Sequence, residues 1–420
     1  MNITQLGEAK FISPVTRTIS DNLRVPEHII MNTESTQESE LSFELAGPRE
    51  KLFFNPSQTR AGIVTCGGLC PGLNDVIRSL FNELTYAYGI QEVIGFKGGY
   101  GGLDPDTNNK PITLTHEFVD DIHKEGGTVL GTSRGPVDVV RAVDNLVKVG
   151  INILFTIGGD GTQRGGNALF QEAKKRGHAL SVVGIPKTID NDVAFVSRTF
   201  GYLTAVQEAA IVLDRAHMEA RSVEYGISLV KLMGRHAGFI AAGATIASQD
   251  VNFTLVPEVP FKLEGEGGFL SALTKRILTR KHAVIVVAEG AGQDLLKGSD
   301  NSRDASGNVL LKDIGLFLRD KIDSHFKAEN IPVILRYFDP SYILRSSPAN
   351  AEDSILCDLF ARNAVHAAMA GKTGLVIGYL HSMFIHVPIE LLTSRVKTMD
   401  TSGVAWSAVL SATGQPAQFV

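Results

Sequence analysis

Short apolar runs alternate with helical stretches along most of the chain, beginning at Ala61. The runs are rich in β-branched side chains and most end at a glycine or a polar loop, which is typical of buried strands. They predict strands at Ala61–Cys66, Glu92–Phe96, Ile151–Ile157, Ser181–Ile185, Gly226–Leu232, Phe253–Val256, Ala283–Ala288, Val333–Tyr337 and Leu375–Tyr379.

Helical patterns fill most of the intervals between these runs. Clear examples begin at Asn74, which follows a Gly/Pro loop, and extend over Thr204–Ala220 and Asp353–Ala370. Strands that alternate with helices predict an α/β fold of doubly wound, parallel-rich sheets with helices on both faces. Ligands bind such sheets at the carboxyl ends of the strands, so we expect the chemistry in the loops that follow them.

The first 58 residues differ from the rest of the chain. They are polar, rich in Ser, Thr and Glu, and only weakly periodic. We interpret them as an amino-terminal extension that is partly ordered or packs on a neighbour.

Composition narrows the functional class. The 420 residues are 44% hydrophobic and 20% charged, which is enough material for two packed domains. A formal net charge of −5 gives no general attraction to nucleic acid or anionic lipid. No apolar run is long enough to span a bilayer, and no secretory signal is evident at the amino terminus. The 3 cysteines favour a reducing, cytoplasmic environment over a disulfide framework.

The first candidate motif is the loop Thr65–Asn74, which reads Thr-Cys-Gly-Gly-Leu-Cys-Pro-Gly-Leu-Asn between a strand and a helix. Its glycines let backbone N–H groups approach an anion, and the helix amino terminus adds a favourable dipole. A tight strand-to-helix turn explains the same composition equally well. Cys66 and Cys70 lack the neighbouring His or Cys residues of a zinc site.

The second motif, Ile157–Thr162, reads Ile-Gly-Gly-Asp-Gly-Thr and follows a strand directly. Asp160 stands among glycines at a strand end, where Mg²⁺ binds through one or two carboxylates together with phosphate oxygens. A loop that needs glycines for backbone reasons alone does not explain the acidic residue. The motif indicates phosphoryl transfer from a nucleotide without identifying the acceptor.

The third motif, Pro186–Asp192, reads Pro-Lys-Thr-Ile-Asp-Asn-Asp. In an extended segment Asp190 and Asp192 point to opposite sides, so that one can face a metal and the other an acceptor hydroxyl. A simple Asx-turn is the alternative.

Two further motifs carry arginines at strand ends. Leu232–Gly238 contains Met-Gly-Arg, and Arg235 can stabilise charge on a transferring phosphoryl group. Tyr342–Arg345 reads Tyr-Ile-Leu-Arg, with Arg336 upstream. Arginine binds phosphate through a bidentate fork, although single arginines are usually solvated surface residues.

In their order and spacing these motifs resemble the phosphofructokinase family from about residue 60 to about residue 411. The Met-Gly-Arg and Pro-Lys-Thr-Ile-Asp-Asn-Asp segments are the most specific, because NAD kinases and lipid kinases share only the Gly-Gly-Asp-Gly turn. The resemblance implies ATP-dependent transfer of the terminal phosphate to the C1 hydroxyl of fructose 6-phosphate. It implies an ATP-binding domain of residues 59–205 and 343–391, and a sugar-phosphate domain of residues 206–342 and 392–420.

The resemblance also assigns roles residue by residue. Asp190 matches the catalytic base, Asp160 the Mg²⁺ ligand with Asp192 close by, and Thr188 and Arg235 the groups that stabilise the moving phosphoryl. The matches to nucleotide contacts are Gly68, Arg134, Gly135, Gly159, Gly161 and Thr162. The matches to sugar-phosphate contacts are Thr188, Ile189, Met233, Gly234, Glu289, Tyr342, Ile343, Leu344 and Arg345.

Donor choice and assembly follow from the same resemblance. Gly161 is similar to the ATP-using form, where pyrophosphate users place Asp, whereas Lys187 is similar to the pyrophosphate users. We give Gly161 more weight, because an Asp there would repel the α-phosphate of ATP. Arg336 matches a residue that reaches a neighbour's pocket in a homodimer or homotetramer, although Gly226 replaces its usual arginine partner. The alternatives are a pyrophosphate-dependent enzyme and a catalytically silent regulatory subunit.

Overall fold

The computed structural model describes residues 3–30, 41–135, 138–296 and 310–420. The strands are β1 (Thr4–Gln5), β2 (Phe11–Ile12), β3 (Arg24–Pro26), β4 (Ser42–Leu45), β5 (Lys51–Leu52), β6 (Arg60–Thr65), β7 (Glu92–Phe96), β8 (Ile112–Thr113), β9 (Ile153–Gly158), β10 (Ser181–Pro186), β11 (Gly226–Leu232), β12 (Phe253–Leu255), β13 (His282–Ala288), β14 (Ile334–Phe338), β15 (Lys372–Thr373), β16 (Leu375–Leu380) and β17 (Met383–Pro388). The α-helices are α1 (Leu73–Asn82), α2 (His116–Val119), α3 (Val139–Val149), α4 (Asp160–Lys175), α5 (Tyr202–Arg221), α6 (Phe239–Ser248), α7 (Phe269–Arg280), α8 (Ile314–Ala328), α9 (Ala351–Met369), α10 (Ile389–Leu392) and α11 (Val404–Thr413).

The larger sheet has nine strands in the order β3-β4-β17-β16-β10-β9-β6-β7-β8. Its five central strands, from β16 to β7, are parallel, and the flanking pairs are antiparallel. The central strands are almost wholly apolar and buried, as expected for strands covered by helices on both faces. The direction of winding reverses between β6 and β9, and ligands of doubly wound sheets bind at such a switch point.

The smaller sheet is parallel throughout, in the order β12-β13-β11-β14. Its carboxyl ends carry the segments that begin at Met233, Glu289 and Asp339. One apolar core cluster includes buried residues of both sheets, such as Val183 and Val230. The two-sheet α/β architecture predicted from the sequence is therefore confirmed.

All nine predicted strands are present, with bounds within two residues of the predicted ones. The antiparallel strand β17 was not predicted, since it follows β16 after a two-residue turn and has no helix before it. Both turn residues, His381 and Ser382, have positive φ values of 51° and 63°. This hairpin geometry is normally signalled by Asn or Gly, which are absent here.

The described part of the extension packs on this chain itself. β4 pairs with β17 and β3 pairs with β4, which adds two strands to the larger sheet, whereas β1 and β15 form a separate two-stranded sheet. The prediction of a partly ordered segment left its packing partner open. The pairings of β4 with β17 and of β1 with β15 join residues more than 300 positions apart, so no local pattern in the polar sequence marks them.

A buried charge cluster fastens this extension. The Glu44 carboxylate accepts hydrogen bonds from Lys372 at 2.7 Å and from His386 Nδ1 at 3.0 Å, and pairs with Arg49 at 2.7 Å. Burial by itself would raise the pKa of Glu44, but the bonds from His386 and Lys372 outweigh it and hold that pKa far below its usual range. Since Lys372 lies on β15 and His386 on β17, the cluster ties the extension to the carboxyl-terminal part of the chain.

No helix in the described parts of the chain combines the length and apolar character needed to cross a membrane.

Candidate active site

A cleft of about 430 Å³ opens at the carboxyl ends of β6, β9 and β10, where the strand order reverses. Most of the residues predicted from the sequence line it. They are Gly68, Arg134, Gly135, Gly159, Asp160, Gly161, Thr162, Lys187, Thr188, Ile189, Asp190, Asp192, Met233, Arg235 and Arg345. The tertiary structure thus brings together residues from six separate segments of the chain, which is the requirement for a shared site.

The amino terminus of α4 supplies backbone donors to this cleft. Helix α4 begins at Asp160 after an extended Gly159, and no side chain caps its first turn. The first N–H groups of a helix have no partner within it and attract anions together with the helix dipole. Thr162 is buried, and its carbonyl accepts a hydrogen bond from the Tyr100 hydroxyl at 2.5 Å. The turn is therefore held rigidly in a form suited to phosphate groups.

Three cationic side chains surround Gly68. A Cβ atom on Gly68 would lie 3.3 Å from an Arg345 nitrogen and 3.5 Å from an Arg134 nitrogen. The Lys187 ammonium donates a hydrogen bond to the Gly68 carbonyl at 2.6 Å. Lys187 is buried, and this burial lowers its pKa. A side chain at this position would approach the ends of both arginines, and the combined charge of the three cations suits a polyphosphate.

The carboxylates line the same cleft as these cations. Burial, followed by repulsion from Asp192 and Glu289, raises the pKa of Asp190 to about 7. Asp190 Oδ2 lies 3.9 Å from Arg235 Nε, whereas Oδ1 has no hydrogen-bond partner among the described residues. A buried carboxylate that has a pKa near neutrality and an oxygen without a hydrogen-bond partner has the properties of a general base.

Asp160 and Asp192 fit a divalent cation. Burial and the negative charge of Asp192 raise the pKa of Asp160, so the two carboxylates repel each other across the cleft. The described residues include no group of three or more His, Cys, Asp or Glu side chains that could hold a metal alone. Mg²⁺ is commonly bound by one or two carboxylates together with substrate phosphates and water. The residues present therefore suit Mg²⁺ delivered with a nucleotide.

Unusual backbone geometry positions the loop that carries Asp190 and Asp192. Asn191, between the two carboxylates, has a left-handed φ of 55°, a conformation that Asn tolerates better than most residues. Its side-chain oxygen accepts a hydrogen bond from Thr199 N at 3.0 Å. Asp190 N donates to the Thr188 hydroxyl at 3.0 Å. Local hydrogen bonds therefore offset the conformational strain and fix the orientation of Asp190.

The turn after β11 has a similar geometry. Gly234 has a φ of 142° and Arg235 a left-handed φ of 46°. The Glu289 carboxylate accepts a hydrogen bond from Arg235 N at 3.0 Å. Neither Gly234 nor Glu289 lines the cleft, and both act on its shape through Arg235. Their predicted sugar contacts stay predictions.

The segment Tyr342–Arg345 is only partly directed into the cleft. Tyr342 is 75% exposed and its ring stacks against the Arg345 guanidinium, whose carbon lies 4.9 Å from the ring centroid. Ile343 is exposed, whereas the Leu344 side chain is fully buried in the core, so only its backbone can face a ligand. Of this segment, only Arg345 lines the cleft.

Arg336 lies on the edge strand β14 and not in the cleft. Its Nε is 3.0 Å from a carboxylate oxygen of Glu219, and its Nη1 donates to the Glu219 carbonyl at 3.2 Å. A role for Arg336 in substrate binding therefore depends on a second subunit and stays a prediction.

Sequence reasoning missed several residues that line the cleft, including Tyr100, Ser133 and Arg164. Arg164 lies four positions after Asp160 on α4, so helical spacing alone could have identified it. Tyr100 and Ser133 come from irregular loops whose position depends on packing. No periodic signal marks them in the sequence.

Comparison with known proteins is consistent with this geometry. The family model for phosphofructokinase matches residues 60–368. The chain is 46% identical to an ATP-dependent 6-phosphofructokinase of Borreliella burgdorferi, covering 99% of this chain and 96% of the relative. It is 48% identical to an ATP-dependent 6-phosphofructokinase of Trypanosoma brucei brucei, covering 88% of this chain and 76% of the relative.

Solved structures share the fold at low identity. A pyrophosphate-dependent phosphofructokinase from Marinobacter aquaeolei superposes with a TM-score of 0.71 at 19% identity, covering 84% of this chain and 91% of that one. Another from Nitrosospira multiformis has a TM-score of 0.67 at 18% identity, covering 82% of this chain and 86% of that one. The family match, the close relatives and the cleft lead to one conclusion: this chain belongs to the phosphofructokinase family.

Proposed function

We propose that this chain is an ATP-dependent 6-phosphofructokinase. It transfers the γ-phosphoryl group of ATP to the C1 hydroxyl of fructose 6-phosphate and produces fructose 1,6-bisphosphate and ADP. The observation that carries this proposal is the buried Asp190 carboxylate, which has its pKa raised to about 7 and one oxygen without a hydrogen-bond partner among the described residues, in the same cleft as a cluster of cations.

Each wall of the cleft has its own part in the reaction. Asp190 accepts the proton of the attacking hydroxyl, which makes the oxygen a better nucleophile toward phosphorus. Arg235 neutralises charge on the phosphoryl group during transfer, and the Thr188 hydroxyl stabilises that charge by donating a hydrogen bond. The amino terminus of α4 and Arg134 hold the donor phosphates. Phosphoryl transfer depends mainly on such positioning and charge neutralisation, and little covalent participation by the protein is needed.

Asp160 and Asp192 are the residues that would hold Mg²⁺. When bound, the ion neutralises phosphate charge and orients the phosphates for transfer. The raised pKa of Asp160 supports this assignment, because a cation would relieve its repulsion with Asp192.

Gly161 supports ATP as the donor. It is the second residue of α4 and lines the cleft beside the first-turn N–H groups. A side chain with negative charge at this place would oppose the additional phosphate that ATP carries relative to pyrophosphate. The relatives described above are named ATP-dependent enzymes, which favours the same donor.

A steady-state assay with fructose 6-phosphate and either ATP or pyrophosphate tests the donor directly. We expect turnover with ATP and at most weak turnover with pyrophosphate. Pyrophosphate as the better donor would overturn the proposal in favour of the second candidate, a pyrophosphate-dependent enzyme. That candidate rests on Lys187, whose ammonium lies in the cleft next to Gly68.

A catalytically silent regulatory subunit is the remaining alternative. Absence of turnover by the purified, folded chain with both donors would favour it. Asp160, Asp190, Asp192 and Arg235 are all present in the cleft, which favours activity.

We further propose that the enzyme is a cytoplasmic homodimer or homotetramer. The position of Arg336 on β14, an edge strand of the smaller sheet, supports this proposal. The three cysteines are unpaired and buried, as suits a reducing compartment.

A further inference from the structure

The segment between α10 and α11 lies beyond the matched residues 60–368 and passes close to the catalytic loop. Val396 forms an antiparallel bridge with Val193, and Lys397 N lies 3.3 Å from the Asp192 carbonyl, to which it donates. This pairing places residues 396 and 397 directly beside the carboxylates.

The side chain of Lys397 reinforces the same contact. Its ammonium donates to the carbonyl of Val196 at 2.7 Å and to that of Ser197 at 3.1 Å. These two carbonyls belong to the stretch between Asp192 and Thr199, the residue that Asn191 holds in place. Removing the ammonium would leave them without these donors, and the loop would lose a fixed support.

The other side of the segment is fastened to the turn that carries Arg235. The Lys397 ammonium lies 5.0 Å from the centroid of Phe239, the first residue of α6. Two residues further on, Met399 N donates to Glu258 at 2.9 Å. The same carboxylate accepts from Gly238 N at 2.9 Å. Gly238 precedes α6 and lies three residues after Arg235.

Residues 396–399 therefore link two loops that belong to different sheets. One loop follows β10 and carries the base, and the other follows β11 and carries the arginine. The nearest charged atoms of Asp190 and Arg235 are 3.9 Å apart. A small displacement of either loop therefore changes the distance and orientation between the two side chains.

We propose that Lys397 is a positioning residue for the phosphoryl-transfer step, acting through the Asp190–Asp192 loop without touching either substrate. The proposal rests on the function proposed above. It assigns a catalytic consequence to a residue that lies outside the matched family region.

Lys397→Met tests this assignment, because it keeps the length of the side chain and removes its charge and donors. We expect kcat to fall by about 10- to 100-fold, the effect of a displacement of roughly 1 Å at a reacting group. The KM values for both substrates should change little. Lys397→Arg, which retains a cation and donors, should restore part of kcat.

Lys281→Met is the matched control. Lys281 also lies over an aromatic ring, 4.5 Å from the centroid of Tyr225, and donates to the Tyr225 hydroxyl, but it does not line the cleft. Its kcat and KM should equal those of the wild type. If Lys397→Met behaves like this control, the proposal is wrong.

A double-mutant cycle with Asp190→Asn separates positioning from a general loss of stability. If Lys397 acts through Asp190, its removal should have little further effect on kcat once the base is absent. A purely structural role would lower the activity of both backgrounds by the same factor, and that result would overturn the proposal. Should Lys397→Met fail to fold, Lys397→Gln takes its place in the cycle and is judged by the same criterion.

The cycle also keeps this proposal distinct from the proposed function. Failure of the function would appear as a wild-type chain without turnover on either donor. Failure of the positioning role would appear as an active wild type with additive or absent effects at Lys397.

Discussion

The two walls of the cleft differ in the burial of their side chains. On the wall formed by the larger sheet, Thr162, Lys187 and Asp190 are buried, although Asp160 and Gly161 are exposed. On the wall formed by the smaller sheet, the Arg235 side chain is 41% exposed. The larger-sheet wall thus has a buried base within a single chain, whereas the smaller-sheet wall is more exposed.

This difference follows from strand position. β9 and β10 are central strands whose ends are packed on both sides, so the following loops are held by buried backbone contacts. β14 is an edge strand, and Tyr342 and Ile343 in the segment after it are exposed, whereas Leu344 is buried. Buried charges on the larger-sheet wall interact in a medium of low polarity, where electrostatic interactions have large effects on rate. Exposed charges on the smaller-sheet wall interact as strongly only when a substrate or second subunit excludes water from them.

The largest expected effect on kcat is that of replacing Asp190, the proposed base on the larger-sheet wall. Asp190→Asn should lower kcat by about 10²- to 10⁴-fold, the usual contribution of a positioned base, with little change in either KM. Because burial disfavours the ionised carboxylate, the neutral amide should leave the thermal midpoint unchanged or higher. Steady-state kinetics with a melting curve provide the check. A folded variant with near wild-type kcat would remove Asp190 from this role.

Gly161→Asp should affect donor use on the same wall. Like charges about 4 Å apart cost roughly 4 kcal/mol at an effective dielectric of 20, which is about a thousandfold in kcat/KM for ATP. Pyrophosphate should suffer less because it lacks the α-phosphate and nucleoside. Gly161→Asn, equal in size and uncharged, separates charge from volume. If both variants retain wild-type ATP kinetics, Gly161 does not line the phosphate site.

Arg336→Ala tests the predicted role of this edge-strand residue in binding the sugar phosphate. Losing a charge-assisted hydrogen bond to phosphate costs about 1.5–3 kcal/mol, so affinity for fructose 6-phosphate should fall by roughly 10- to 150-fold. Affinity for ATP should stay nearly constant. Glu219→Gln is the control, since it removes the ion pair within the chain without removing the arginine. Equal loss of stability in both variants, with unchanged substrate affinity, would indicate a purely structural pair.

Subunit exchange extends the Arg336 experiment. Asp190→Asn and Arg336→Ala proteins are each defective alone, but a mixed interface pairs an intact base with an intact arginine. High-affinity activity should return on mixing if Arg336 serves its neighbour. Activity equal to the sum of the separate proteins, after confirmed exchange, would contradict the intersubunit role.

The smallest expected effect is a shift in pH dependence. A base must be deprotonated to act, so kcat/KM should fall about tenfold per pH unit below the Asp190 pKa of about 7. The negative charge of Glu289 contributes to raising that pKa. Glu289→Gln should therefore lower it and move the acidic limb of the normalised profile to lower pH. If the acidic limb of the Glu289→Gln profile stays at the wild-type pH, the ionisation of Asp190 does not control the pH dependence of kcat/KM.

The sequence predicted most of the residues that line the cleft on the side of the larger sheet. Its strands are continuous apolar runs, and Asp160 and Asp190 lie in short motifs directly after them, so local order along the chain implied proximity in space. It predicted the orientation of the residues that follow the smaller sheet less completely. Tyr342 and Leu344 are two residues apart, yet one is exposed and the other lies in the core, because the short helical turn between them directs them oppositely.

By itself, the sequence determined the alternation of strands and helices, the two-sheet α/β class and the residue types available for phosphoryl transfer. These follow from hydrophobic periodicity and from motifs a few residues long, which are local properties. Only the tertiary structure decided that Glu44 in the polar extension pairs with Lys372, and that the Lys397 ammonium donates to the carbonyl of Val196. Such contacts join residues some 200 to 330 positions apart, and their formation depends on the packing of the whole chain rather than on any local pattern.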